Sequence, residues 1–211
     1  MHERACIVAS PADSDQLILL FHGVGATARD LLPLGEALEQ ARPRATVVCV
    51  EAPHASSWGS GYEWFSVAGI TEDSRPARIA EAMVPFLATV RHWQGQSGVG
   101  PAHTVLLGFS QGAIVALEST QATLQPDAAA HTVIALAGRF AVPVRRAPPE
   151  VAFHLIHGDS DGVVLPRWSA DAARQLQALG GRVTHDRVPG LGHGIDARVL
   201  RRVLELLPAG G

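Results

Sequence analysis

Gly108-Phe109-Ser110-Gln111-Gly112 has the G-x-S-x-G spacing of a nucleophilic serine carried on a sharp turn between a strand and a helix. Thr104-Val105-Leu106-Leu107 before it reads as a strand, and Ala113 to Glu118 after it as a helix, which is the setting the pattern requires. Such a turn strains the serine backbone, so its neighbours must be small, and the helix N-terminus brings partial positive charge to a developing oxyanion. A serine hydroxyl attacks well only when a base removes its proton, and that base needs a carboxylate to orient it. In the chain order Ser, Asp, His, the sequence supplies Asp161 within His157-Gly158-Asp159-Ser160-Asp161 and His193 within Gly190-Leu191-Gly192-His193-Gly194. Asp159 competes with Asp161 for the acidic role. An Asx side chain in a turn commonly bonds local backbone, a bracing role that suits Asp159, while spacing favours Asp161 for the chemistry.

A tetrahedral intermediate needs hydrogen-bond donors for its oxyanion. One is the backbone N–H after the nucleophile, here Gln111. The other comes from the loop after an early strand, Phe21-His22-Gly23-Val24-Gly25, with Val24 as the donor. The glycines of that loop also suit a plain strand-to-helix turn. This chemistry uses no cofactor. Metal ligation is not expected, because His154 and His157 would point to opposite faces of a strand and no His-Glu-x-x-His spacing occurs.

The elements that must position these groups alternate along the 211 residues. Strands are expected at Leu17–Phe21, Ala45–Val50, Thr104–Phe109, Thr132–Leu136, Ala152–His157 and Arg182–Val188; most are apolar throughout, as in sheets buried on both faces. A Thr27/Asp30 capping box opens a helix carrying Leu31, Leu34 and Leu38 inward. Ser74 and Pro76 open a longer one with Ile79, Met83, Phe86, Val90 and Trp93 on its core face, a kink at Pro85 and a stop at Gly95. Further helices run from about Pro166 to Leu179 and onward from Asp196. The pattern predicts one α/β domain over residues 1–211, a mostly parallel sheet covered by helices on both faces, with Ser110, Asp161 and His193 beyond the carboxyl ends of strands. The long segment Glu51–Ile70 holds Trp58, Tyr62, Trp64 and Phe65. It reads either as a wall of the substrate pocket, with Trp58, Trp64 and Phe65 as binding residues, or as a loop pinned by its own aromatics.

Composition narrows the alternatives. All 17 basic side chains are Arg, and both Lys and Asn are absent. That excludes Schiff-base and Ser-Lys catalysis, a phosphate-loop lysine and a Cys-His-Asn site. A net charge of −3 leaves no footprint for nucleic acid or an anionic membrane. Cys6 and Cys49 read as buried free thiols, and the apolar run Leu17–Phe21 is too short for a signal-peptide core, so a cytoplasmic location is expected.

The segments Leu20-Phe-His-Gly-Val-Gly, Gly108-Phe-Ser-Gln-Gly-Ala, His157-Gly-Asp-Ser-Asp-Gly-Val-Val and Gly192-His-Gly-Ile, in that order across nearly the whole chain, resemble the phospholipase/carboxylesterase family of the α/β-hydrolase fold. That family includes acyl-protein thioesterases and small bacterial carboxylesterases. The resemblance implies a triad of Ser110, Asp161 and His193 and oxyanion donors at Val24 and Gln111, while a sheet of about six or seven strands with its helices consumes most of the chain and leaves no room for a large lid. It also implies hydrolysis of carboxylic esters; the expected substrates are small esters of short to medium chain, with the protein a monomer or homodimer and not inserted in a membrane. The thioesterase branch has an acidic residue where this chain has Ser66 after Trp64-Phe65, which argues against acyl-protein specificity. Two other readings stand beside it: a lysophospholipase or acyl-protein thioesterase with a longer acyl groove, and a catalytically silent hydrolase-fold binding protein.

Overall fold

Chain segments made almost wholly of apolar residues can be buried on both faces of a sheet, and that is where β2 (Gln16–Phe21) and β3 (Ala45–Val50) lie, every residue of both buried, Gln16 and Thr46 included. The computed structural model describes residues 4–122 and 128–210. Around these two strands stand β1 (Ala5–Ala9), β6 (Thr104–Phe109), β7 (Thr132–Leu136), β8 (Ala152–Gly158) and β9 (Arg182–Val188), in the order β1-β3-β2-β6-β7-β8-β9. All neighbours pair in parallel except β1, which runs antiparallel to β3. Two short strands, β4 (His54–Ala55) and β5 (Tyr62–Glu63), form a separate hairpin. The expected α/β architecture is therefore present, with β1, the apolar stretch that holds Cys6, at the edge, where its residues are half-buried or exposed. Cys6 is accordingly only half-buried, whereas Cys49, its direct neighbour across β1 and β3, is buried, and burial pushes its thiol up to about 12.

Among the described residues, five helices cover the sheet. α1 (Leu32–Ala41) and α5 (Ala197–Leu206) bring Leu34, Leu38, Val199 and Val203 to one face, against Ile18, Leu20, Val47 and Val105. α2 (Arg75–Ser97), α3 (Gln111–Ser119) and α4 (Arg167–Ala178) cover the other, where Phe86, Ile114 and Leu176 join Leu19, Phe21 and Leu106. Truncating one such buried leucine to alanine costs about 2–5 kcal/mol. The Thr27/Asp30 capping box is present, but it opens a 3-10 turn at Ala28–Leu31 that leads into α1. α2 runs through Gly95, where a stop was expected, and ends at Gly98, whose φ of 70° supplies the left-handed turn. Helical packing of Val90 and Trp93 carries Gly95 along; its missing side chain lowers propensity without breaking the helix. Among the described residues no helix is long and apolar enough to cross a membrane.

β2 and β6 are adjacent, and from β2 the chain winds first toward β3 and later, through β6, toward the opposite edge. In open α/β sheets such a reversal leaves a crevice at the carboxyl ends of the two strands. The segment following β2 and the segment following β6 both open into it.

Candidate active site

β6 turns into α3 through Ser110, whose φ of 53° and ψ of −115° lie outside the regions that L residues favour. Close packing forces this turn. A Cβ on Gly108 would lie 2.3 Å from the carbonyl group of Gly112, and a Cβ on Gly112 would lie 2.1 Å from the Phe21 oxygen. Only glycine at both positions lets α3 start directly against the end of β2. The Ser110 N–H donates to the Leu136 oxygen on β7 at 2.9 Å, fixing the turn from the other side.

His193, in the segment after β9, brings Nε2 to 2.9 Å from Ser110 Oγ, and its Nδ1 lies 2.7 Å from Asp161 Oδ2. A carboxylate only accepts, so Nδ1 carries the ring proton and Nε2 is left to accept from the serine hydroxyl. Asp161 is buried just past β8, and its Oδ1 accepts from the Val163 and Val164 amides at 2.8 and 3.0 Å. Burial pushes its carboxyl up, but the bonds from His193 and the two amides outweigh it and hold Asp161 below the usual carboxylate range. Asp159 is occupied elsewhere, accepting from the Gly190 amide at 2.7 Å and so tying the turn after β8 to the segment that carries His193. Sequence reasoning did not assign His157. Its Nε2–H is shared between the Val164 carbonyl at 2.7 Å and Asp161 Oδ2 at 3.1 Å, and burial lowers its pKa.

Val24 and Gln111 line the cavity that contains Ser110, and no described residue accepts a hydrogen bond from either backbone N–H. The loop carrying Val24 is held from below by His22, which donates from Nδ1 to the Gly23 oxygen at 2.7 Å and accepts at Nε2 from the Ala52 amide at 3.0 Å. Burial lowers the pKa of His22, which suits this neutral two-way role. Tyr62 on β5 pairs with the same loop through bonds of 2.9 Å to Gly25 and Ala26. The Gln111 side chain, which sequence reasoning also missed, accepts from the Trp64 amide and donates to the Phe65 oxygen, each at 2.7 Å.

The Glu51–Ile70 segment thus combines its two expected characters. Phe65 lines the cavity at Ser110. Trp64 does not: it packs on Phe21 and Phe86 and donates from Nε1 to the His22 oxygen at 2.9 Å, beneath the loop rather than in the cavity. Trp58 is 70% exposed and lies outside that cavity as well, because its turn closes on Ser56 instead of folding inward.

The cavity, about 180 Å³, is completed by residues with no sequence assignment: Arg75, Ile114, Arg139, Val163, Val164 and Trp168. Arg139 follows β7 as Ser110 follows β6, so its place at the carboxyl edge was a usable signal. The contacts that hold it there, to Glu72 and Trp168, were not visible in the chain. No group of three or more metal-ligating side chains gathers among the described residues.

A model of the family described as Phospholipase/Carboxylesterase matches residues 2–209 of the chain. The chain is 42% identical over 206 residues to the esterase YpfH of Escherichia coli strain K12, covering 98% of this chain and 88% of that one. The crystal structure of esterase PE8 superposes with a TM-score of 0.86 at 30% identity, covering 97% of both chains. Acyl-protein thioesterase 2 of Zea mays shares the fold, with a TM-score of 0.72 at 22% identity and 97% of both chains covered.

Proposed function

The chain is an ester-hydrolysing member of the phospholipase/carboxylesterase family, and we propose that it works as a serine esterase on small carboxylic esters, through an acyl-enzyme at Ser110. The observation that carries this reading is the continuous relay from Ser110 Oγ through His193 to Asp161, with contacts of 2.9 and 2.7 Å. Ser110 Oγ attacks the ester carbonyl while His193 Nε2 takes its proton, and Asp161 stabilises the imidazolium. The Val24 and Gln111 amides receive the oxyanion; a donor of this kind contributes about 2.7–4 kcal/mol to the transition state. His193 then returns the proton to the departing alcohol. Water attacks the acyl-enzyme by the same route, so the sum is ester plus water to carboxylic acid plus alcohol.

A cavity of about 180 Å³ is smaller than the roughly 300–1,000 Å³ of pockets that enclose drug-sized ligands, which supports short acyl chains. The cytoplasmic location and the monomeric or homodimeric state belong to the same proposal. It is tested by hydrolysis of p-nitrophenyl esters from acetate to palmitate, with wild type and Ser110→Ala side by side. Short chains turned over by wild type and lost in Ser110→Ala are the expected result. A long-chain optimum would assign a lysophospholipase or thioesterase instead, and equal rates in the two proteins would leave a binding protein.

A further inference from the structure

The cavity beside Ser110 contains two guanidinium groups that chemistry at the ester carbonyl does not use. Arg75 and Arg139 are the charged residues lining it, among apolar walls that include Phe65, Ile114, Val163 and Trp168. Arg139 is only 8% exposed and lies over the Trp168 ring at 3.8 Å. Its Nε–H donates to the Phe140 oxygen at 3.1 Å, and its two Nη groups donate to the two oxygens of Glu72 at 3.1 and 2.8 Å. A guanidinium has five N–H donors, so two remain. Arg75 reaches Glu72 Oε1 through one long contact of 3.3 Å, and its buried Nε–H has no acceptor among the described residues. One carboxylate therefore serves two cations. Asp171, across the neighbouring cavity, is taken by Arg174, and Arg167 adds further positive charge beside Trp168.

Buried cations are normally paired, and a buried donor left without an acceptor calls for one. The Glu72 side chain is 60% exposed, so it can swing into solvent and yield its place to another anion. The cavity also has a direction. Its lining includes Ser110, Val24 and Gln111 but not His193, whose Nε2 must meet the departing alcohol. What fills it is the acyl chain.

We propose that this cavity selects an anionic acyl chain, so that the preferred substrate is a half-ester of a short dicarboxylic acid whose free carboxylate meets Arg75 and Arg139. The inference rests on the serine-esterase reading and adds no chemical step: water converts the half-ester to the dicarboxylate and the alcohol. It is tested by pH-stat titration of monoethyl glutarate against ethyl pentanoate, which has the same acyl length without the charge. Wild type is expected to favour the half-ester at low ionic strength, with the preference shrinking as salt screens it. Arg75→Gln should lower the ratio of the two kcat/KM values roughly tenfold, as when a hydrogen bond to a charged group is lost. Glu72→Gln should raise the ratio, because it removes the competing carboxylate. An ion pair with a purely structural role gives another result: Glu72→Gln leaves the ratio unchanged or lowers it, and either outcome overturns the proposal. Acetoxyacetate, which carries its charge on the alcohol side, should gain nothing over ethyl acetate, and a preference for it would overturn the acyl placement. If ethyl pentanoate is cleaved and the half-ester is no better, this inference alone fails. If neither ester is cleaved, the esterase reading falls with it.

Discussion

Adding one methyl group at Gly112 tests the close packing behind the site. A Cβ there would sit 2.1 Å from the Phe21 oxygen, 2.5 Å from its carbonyl carbon and 2.8 Å from the His22 oxygen. All three are backbone atoms that no rotamer change can move aside. Real Cβ contacts essentially never fall below 3.0 Å, so α3 and the end of β2 must part by at least 0.9 Å, the difference between 3.0 and 2.1 Å. Overpacking of this kind costs about 1–3 kcal/mol, and each kcal/mol lowers Tm by roughly 2–4 °C in a chain of this size. The catalytic loss should be larger than the stability loss suggests. Phe21 and His22 lead straight into Val24, so the shift separates the two proposed oxyanion donors, and a misplacement of about 1 Å can cost about 100-fold in rate. Purified Gly112→Ala is therefore expected to remain folded by circular dichroism, to melt several degrees below wild type and to lose about 100-fold in kcat/KM on p-nitrophenyl butyrate. Gly100→Ala, at a position with no heavy atom within 4 Å of the added Cβ, is the matched control and should behave as wild type. A Gly112→Ala enzyme with wild-type kcat/KM would refute the link between this contact and the site.

Gly95→Ala should stabilise the protein by about 1 kcal/mol, read as a higher denaturation midpoint, because Gly95 is inside α2 and a Cβ there meets nothing within 4 Å. Gln111→Ala keeps the backbone amide but strands the buried Trp64 N–H and Phe65 C=O; a loss of about 1–3 kcal/mol for each stranded group is expected, and an unchanged Tm would refute the fastening role. Acid should weaken the fold through its buried histidines. Burial lowers the pKa of His22 and of His157 below 6.5, so as pH falls the unfolded chain takes up protons first. Stability is then complete above about 6.5 and declines below it by about 1.4 kcal/mol per pH unit for each histidine, until the folded values are reached. His154 and His185 shift in the same direction and add to the slope. Urea denaturation at a series of pH values reads it directly, and a flat profile from pH 7 to pH 5 would contradict the assignment.

The three residues of the relay were legible because each follows a strand that ends in a turn rich in glycine, and strand ends converge on one edge of a parallel sheet whatever the helices between them do. The edge position of β1 was not, because Ala5-Cys6-Ile7-Val8-Ala9 is as apolar as the central strands although its residues are half-buried or exposed. Trp58 and Trp64 illustrate a second limit. An aromatic in a long loop has the same local appearance whether it faces a cavity, props a neighbouring loop or stands in solvent, and only the tertiary contacts of Trp64 with His22 and Phe86 decide its case. Arg139 and Glu72 are 67 positions apart, and their pairing depends on how the segment before α2 meets the segment after β7, which no spacing rule reports.

The hydrogen bonds of Gln111 and Tyr62 make the segment around Phe65 and the loop around Val24 a single mechanical part. Remodelling that side of the cavity to admit bulkier acids would therefore loosen the grip on the oxyanion along with the wall. Among the described residues Val163 and Trp168, which also line the cavity, have no such tie to the Val24 loop, and a library aimed at new acyl groups should find its active variants there.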